Sequence, residues 1–99
     1  MTQAVIKVRG GAAHVRLDGH AGDPLVCAAI SAMCCAVINA LGQLAQDVVY
    51  ESGGVRFSAD LADERARGAL DVLIFGLNGL QEKFPGRVGV TWADDAVIR

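Results

Sequence analysis

Apolar side chains alternate along the opening residues. Ala4, Ile6 and Val8 fall on one face of an extended chain, with Val5, Lys7 and Arg9 on the other, which is the period of a half-buried strand. Gly10-Gly11 supplies a two-residue turn. Beyond it Ala13, Val15 and Leu17 point one way and His14, Arg16 and Asp18 the other, and Gly19 ends the hairpin. The pattern then changes. Asp23 suits a helix N-cap and Pro24 the first helical position, where a missing N–H costs nothing, so a helix is predicted from Pro24 to about Gln46. A second hairpin, VVYESGGVRFSA, turns at Ser52-Gly53-Gly54 and alternates again through Val55, Phe57 and Ala59. Asp60 is placed to cap a second helix. Ala66, Leu70, Leu73, Leu77, Leu80 and Phe84 share one face of it, and Pro85-Gly86 stops it. Val88, Val90 and Trp92 mark a last strand, and ADDAVIR, residues 93–99, reads as a tail. The order ββαββαβ predicts a single α+β domain over residues 1–99, a mixed sheet with two helices packed on it.

Composition changes how that core is filled. Hydrophobic residues are 53% of the chain but aromatics only 5%, so Ala, Val, Leu and Ile must fill it. A formal charge of −2, with no basic run interleaved with aromatics, makes direct nucleic-acid binding an unexpected function. Three cysteines cannot all pair within one chain, and Cys34 and Cys35 are adjacent. A reduced, cytoplasmic protein is therefore expected rather than a secreted disulfide scaffold. MTQAVIKVRGG has neither the basic nor the apolar region of a signal peptide. Leu25–Ala45 carries no charge and is long enough to span a bilayer. It is rich in alanine, however, and is interrupted by Ser31, Asn39 and Gln43. No Lys or Arg lies near it to set an orientation. A helix packed on several sides by protein, with no membrane contact, is the expected state.

The residues with candidate chemistry crowd into DGHAGDPLVCAAISAMCC, residues 18–35. With Asp23 as cap, Cys27 falls at the first turn, where unpaired N–H groups and the positive end of the helix dipole favour a thiolate. Those same N–H groups could hold a developing oxyanion. His20, in the glycine-flanked turn before the helix, is near enough in sequence to take the thiol proton. Spacing alone leaves the plainer alternative open, because cysteine is commonly buried and a turn histidine is commonly solvated. Cys34 and Cys35 read as core fillers in an apolar helix, and His14 as a surface residue. Metal binding does not fit. Cys27 and Cys34 lie about 10.5 Å apart along the helix at 1.5 Å per residue, whereas zinc holds sulfur at about 2.3 Å. The same separation forbids a disulfide between them.

GHA followed by VCAAISA resembles the ribosomal-processing cysteine protease family, known as Prp. The ββαββαβ order, the long Ala-rich first helix and the Phe84-Pro85 end of the second extend the likeness over nearly the whole chain. The resemblance implies a bacterial, homodimeric cysteine endopeptidase, without cofactor or metal, that removes the N-terminal extension of a large-subunit ribosomal protein. It matches Cys27 to the nucleophile and His20 to the catalytic histidine. Ser31, one turn beyond Cys27, matches a serine expected to lend a supporting hydrogen bond. The family places an acid three positions before the cysteine. Here Asp23 stands one position further away, able to cap the helix or to orient His20, and Asp18 is another candidate. The loop between His20 and Cys27 is also shorter than the family's, which bears on how substrate is admitted. Two other functions compete with proteolysis. One is a non-catalytic peptide-binding or ribosome-assembly module using its strand edges. The other is a thiol-redox protein, weakened by the lack of a C-x-x-C pair.

Overall fold

The computed structural model describes residues 1–92; the expected tail at 93–99 lies outside the described residues. The element order is β1 (Thr2–Arg9), β2 (Ala12–Asp18), α1 (Pro24–Leu41), a 3-10 turn over Gly42–Leu44, β3 (Gln46–Glu51), β4 (Gly54–Asp60), α2 (Glu64–Lys83) and β5 (Val88–Trp92). The strands form one mixed sheet in the order β3-β4-β2-β1-β5. Both hairpins are present, and β2 also pairs with β4, matching Val15 to Phe57 and Leu17 to Val55. The last strand returns parallel to β1, with Thr2 opposite Val88 and Ile6 opposite Trp92.

Alternation decides which face is covered. Ala4, Ile6, Ala13, Val15, Leu17, Phe57, Ala59 and Val88 are buried, and the strand register aligns them on a single face. Both helices cover that face. α1 contributes Val26, Ile30, Cys34, Val37, Ile38 and Leu41, and α2 contributes Ala66, Leu70, Leu73 and Leu77. The two helices approach closely at Gly76, where a Cβ would run into the Met33 sulfur. His14 is exposed on the uncovered face, as its strand position predicts.

Three boundary and packing expectations are corrected. α1 stops at Leu41 rather than near Gln46, because Gly42 turns the chain with φ +55° and its N–H closes on the Ile38 carbonyl. Gln46, expected at the helix end, instead opens β3. The cap of α2 is Asp63, whose carboxylate accepts from Arg65 and Ala66 N–H at 2.8 and 3.2 Å. Asp60 ends β4 and accepts from Ala62 N–H in the connecting turn. Finally, α1 is not enclosed on several sides by this chain. It buries one stripe, while Leu25, Ala28, Ala32, Ala36 and Ala40 are exposed. Pro24–Leu44 is long and apolar enough to cross a membrane by length and composition, with mean hydropathy 2.2, and one third of that stretch is buried in the fold.

Candidate active site

Cys27 owes its place to the helix start. Asp23 takes an extended backbone at the cap, and its Oδ1 accepts from Leu25 N–H at 2.9 Å. The Asp23 carbonyl accepts from Cys27 N–H at 3.0 Å, closing the first turn. Asp23 therefore serves the helix end by both side chain and backbone. This also removes donors expected to be available for an oxyanion: Pro24 has no N–H, and those of Leu25 and Cys27 are engaged. The donor that reaches the sulfur comes from the preceding loop. Ala21 N–H donates to Cys27 Sγ at 3.4 Å, a bond that a thiolate accepts more strongly than a thiol.

The loop carrying His20 is tied on both sides. Gly19 N–H donates to the Gly53 carbonyl at 2.9 Å, and the Thr2 hydroxyl donates to the Gly19 carbonyl at 3.4 Å. On the other side the Ala21 carbonyl accepts from Arg87 Nη1 at 3.1 Å. Gly22, at φ +77°, lets that guanidinium lie against the backbone; a Cβ there would sit 2.7 Å from Nη1. His20 itself is exposed and stands over the β3–β4 turn. A Cβ built on Gly53 would be 3.4 Å from its Nε2.

His20, Cys27 and Ser31 line one cleft of about 290 Å³, floored by Ile30 and Cys34 and bordered by Tyr50 and Glu51. Ser31 is exposed one turn beyond Cys27. Asp18 is engaged elsewhere, with its Oδ2 2.6 Å from Arg16 Nε. The three cysteines are free and differ in environment: Cys27 half-buried, Cys34 buried, Cys35 exposed. Cys35 is thus not the core filler its apolar neighbours suggested; it lines the cleft too. Burial pushes the Cys34 thiol up to about 11, and adjacent Cys35 adds to the effect, so Cys34 stays protonated and inert near neutrality.

A larger hollow, about 580 Å³, lies on the uncovered sheet face between Lys7, His14, Arg16 and Arg56. No cysteine lines it, and Arg16 and Arg56 are paired with Asp18 and Glu51. Of these two hollows, the cleft at Cys27 is the one that presents a thiol. Sequence reasoning missed Thr2, Gly53 and Arg87 beside it. Nothing local marks them, since they arrive through β2–β4 and β1–β5 pairing. The one signal in the sequence is Gly53-Gly54, which by itself indicates only a turn.

Comparison with known proteins places nearly the whole chain among relatives of one kind. The sequence model of the family described as cysteine protease Prp matches residues 1–89. The essential ribosomal processing protease Prp from S. aureus, solved with a covalently linked product peptide, superposes with a TM-score of 0.82 at 27% identity. The match covers 94% of this chain and 100% of that one. A Streptococcus mutans protein gives a TM-score of 0.75 at 28% identity, covering 96% of each chain. The S. aureus protease with a substrate peptide gives 0.76 at 23% identity over 94% of this chain and 100% of that one, a likeness of fold. No curated protein sequence matches.

Proposed function

The chain belongs to the cysteine protease Prp family, and on that premise we propose that it removes the N-terminal extension of a large-subunit ribosomal protein, with Cys27 as nucleophile and His20 as base. The observation that carries this reading is the meeting of Cys27 and His20 in one cleft, with Ala21 N–H donated to the sulfur. His20 takes the proton from Cys27 Sγ, and the thiolate attacks the scissile carbonyl. The tetrahedral oxyanion collapses as the C–N bond breaks, and the imidazolium returns its proton to the leaving amine. Water, deprotonated by His20, then attacks the thioester; the acyl–sulfur bond breaks, freeing the new carboxylate and the thiol. Ser31 lies one turn along the same wall and is suited to a supporting hydrogen bond. Asp23 supports the site by capping the helix on which Cys27 stands.

Incubation with an N-terminally extended bacterial large-subunit ribosomal protein is expected to yield a product lighter by that extension, read by mass spectrometry. Cys27→Ala is expected to abolish cleavage while leaving folding and peptide binding in place, since alanine is the best helix former and only one sulfur is lost. Binding without cleavage by the unmutated protein at any pH from about 6 to about 9 would instead assign the non-catalytic docking function. The reading also includes a homodimer in the cytoplasm. The alanine-lined side of α1 left uncovered in one copy supports the first part, and three unpaired cysteines support the second.

A further inference from the structure

His20 sits between two anchored peptide groups. On its N-terminal side the Gly19 carbonyl accepts from the Thr2 hydroxyl. On its C-terminal side the Ala21 carbonyl accepts from Arg87 Nη1, a contact across 66 residues of sequence. Ala21 is held from two directions, since its N–H reaches Cys27 Sγ while its C=O meets the guanidinium. The base of Arg87 is itself fixed. Its N–H donates to the Phe84 carbonyl at 3.1 Å, and its carbonyl accepts from Thr2 N–H at 2.9 Å. Among the described residues no carboxylate pairs with Arg87, and its Nη1 is directed at this loop. The guanidinium lies close to Gly22, so a side chain there would push Nη1 from its place.

We propose that Arg87 is a positioning residue for the reaction: through the Ala21 carbonyl it holds the Ala21 N–H on Cys27 Sγ and sets His20 over the cleft. The inference rests on the reading of Cys27 as nucleophile. Arg87 acts on the sulfur indirectly, through its bond to the Ala21 carbonyl. A guanidinium suits the task because it is permanently charged and its donors are rigidly set. Small displacements of a reacting group are costly, so loss of the strut acts on turnover more than on binding.

The test uses the full chain and two variants. Arg87→Met keeps most of the aliphatic stem without a donor, and Arg87→Lys restores a charged donor. Cleavage kinetics on an N-terminally extended ribosomal-protein peptide are measured beside iodoacetamide labelling of Cys27 and Cys35, resolved by peptide mapping. Arg87→Met is expected to lower kcat about tenfold or more with KM changed less than about twofold. It should also slow Cys27 labelling severalfold while leaving Cys35 labelling unchanged. Arg87→Lys should recover most of both losses. Parental kcat and Cys27 labelling in Arg87→Met would overturn the proposal. So would a change in which Cys27 and Cys35 labelling move together and lysine restores neither, because that reports general loosening of the fold. If the unmutated protein cleaves nothing, the protease reading fails on its own, and the labelling arm still decides whether Arg87 positions Cys27.

Discussion

Cys27, Cys34 and Cys35 share one helix, yet the fold gives each a different reactivity. Cys27 receives an N–H from Ala21 at the helix start, Cys35 faces solvent farther along, and Cys34 is buried with its thiol pushed up to about 11. A brief, limiting dose of iodoacetamide near neutral pH is expected to label Cys27 first, Cys35 next and Cys34 last, as read by peptide mapping. Cys34 also makes stability depend on pH. Its folded-state value lies above the 9.0 of an unfolded thiol, so the native state holds this proton more tightly. The resulting stabilisation is complete below the unfolded value and is lost as pH rises towards about 11. Urea unfolding between pH 8 and pH 11 should show this decline, and Cys34→Ala should show a shallower one. At this scale the sequence was informative where a local rule applies. Asp23-Pro24 fixes the helix start and therefore the position of Cys27. The exposure of Cys35 was hidden because residues 25–38 are apolar or small on every face, so no periodicity separates the buried stripe from the open one.

Helix ends show the same division between local and tertiary control. Asp60 and Asp63 both suit a cap by residue type. The longer β4, paired with β2 as far as Ala12 opposite Asp60, keeps Asp60 in the sheet and hands the cap to Asp63. Asp63→Ala is accordingly expected to destabilise the protein by about 1 kcal/mol, measured by urea unfolding. Asp60→Ala should cost less, since it removes one bond in an exposed turn. Gly42 was equally visible in the sequence. It does not stand out as a stop because an uncharged stretch continues beyond it to Ala45, which the fold divides between a 3-10 turn and the approach to β3. Both hairpins were legible from alternation and glycine turns. The β2–β4 pairing was not, although it sets Gly53 beneath His20, because strand adjacency leaves no mark in the periodicity of either strand.

At the scale of the molecule, one sheet face is covered by two helices that leave a few large apolar side chains in solvent. Phe75 is 73% exposed and Val72 67%, three residues apart on α2, and Leu25 at the start of α1 is 70% exposed. Neighbouring exposed apolar side chains such as Val72 and Phe75 are characteristic of surfaces that meet a partner. Light scattering at micromolar concentration is expected to give about twice the 10.3 kDa chain mass, and Phe75→Glu to shift the population towards monomer if α2 joins the contact. The parallel pairing of β1 with β5 has a different kind of consequence, one of timing. The loop that aims His20 is made early in translation, but one of its struts, Arg87, follows 66 residues after Ala21. At about 5–20 residues per second, the ribosome needs roughly 3–13 seconds to supply it. A growing chain therefore carries its thiol through that interval before Arg87 can reach the Ala21 carbonyl.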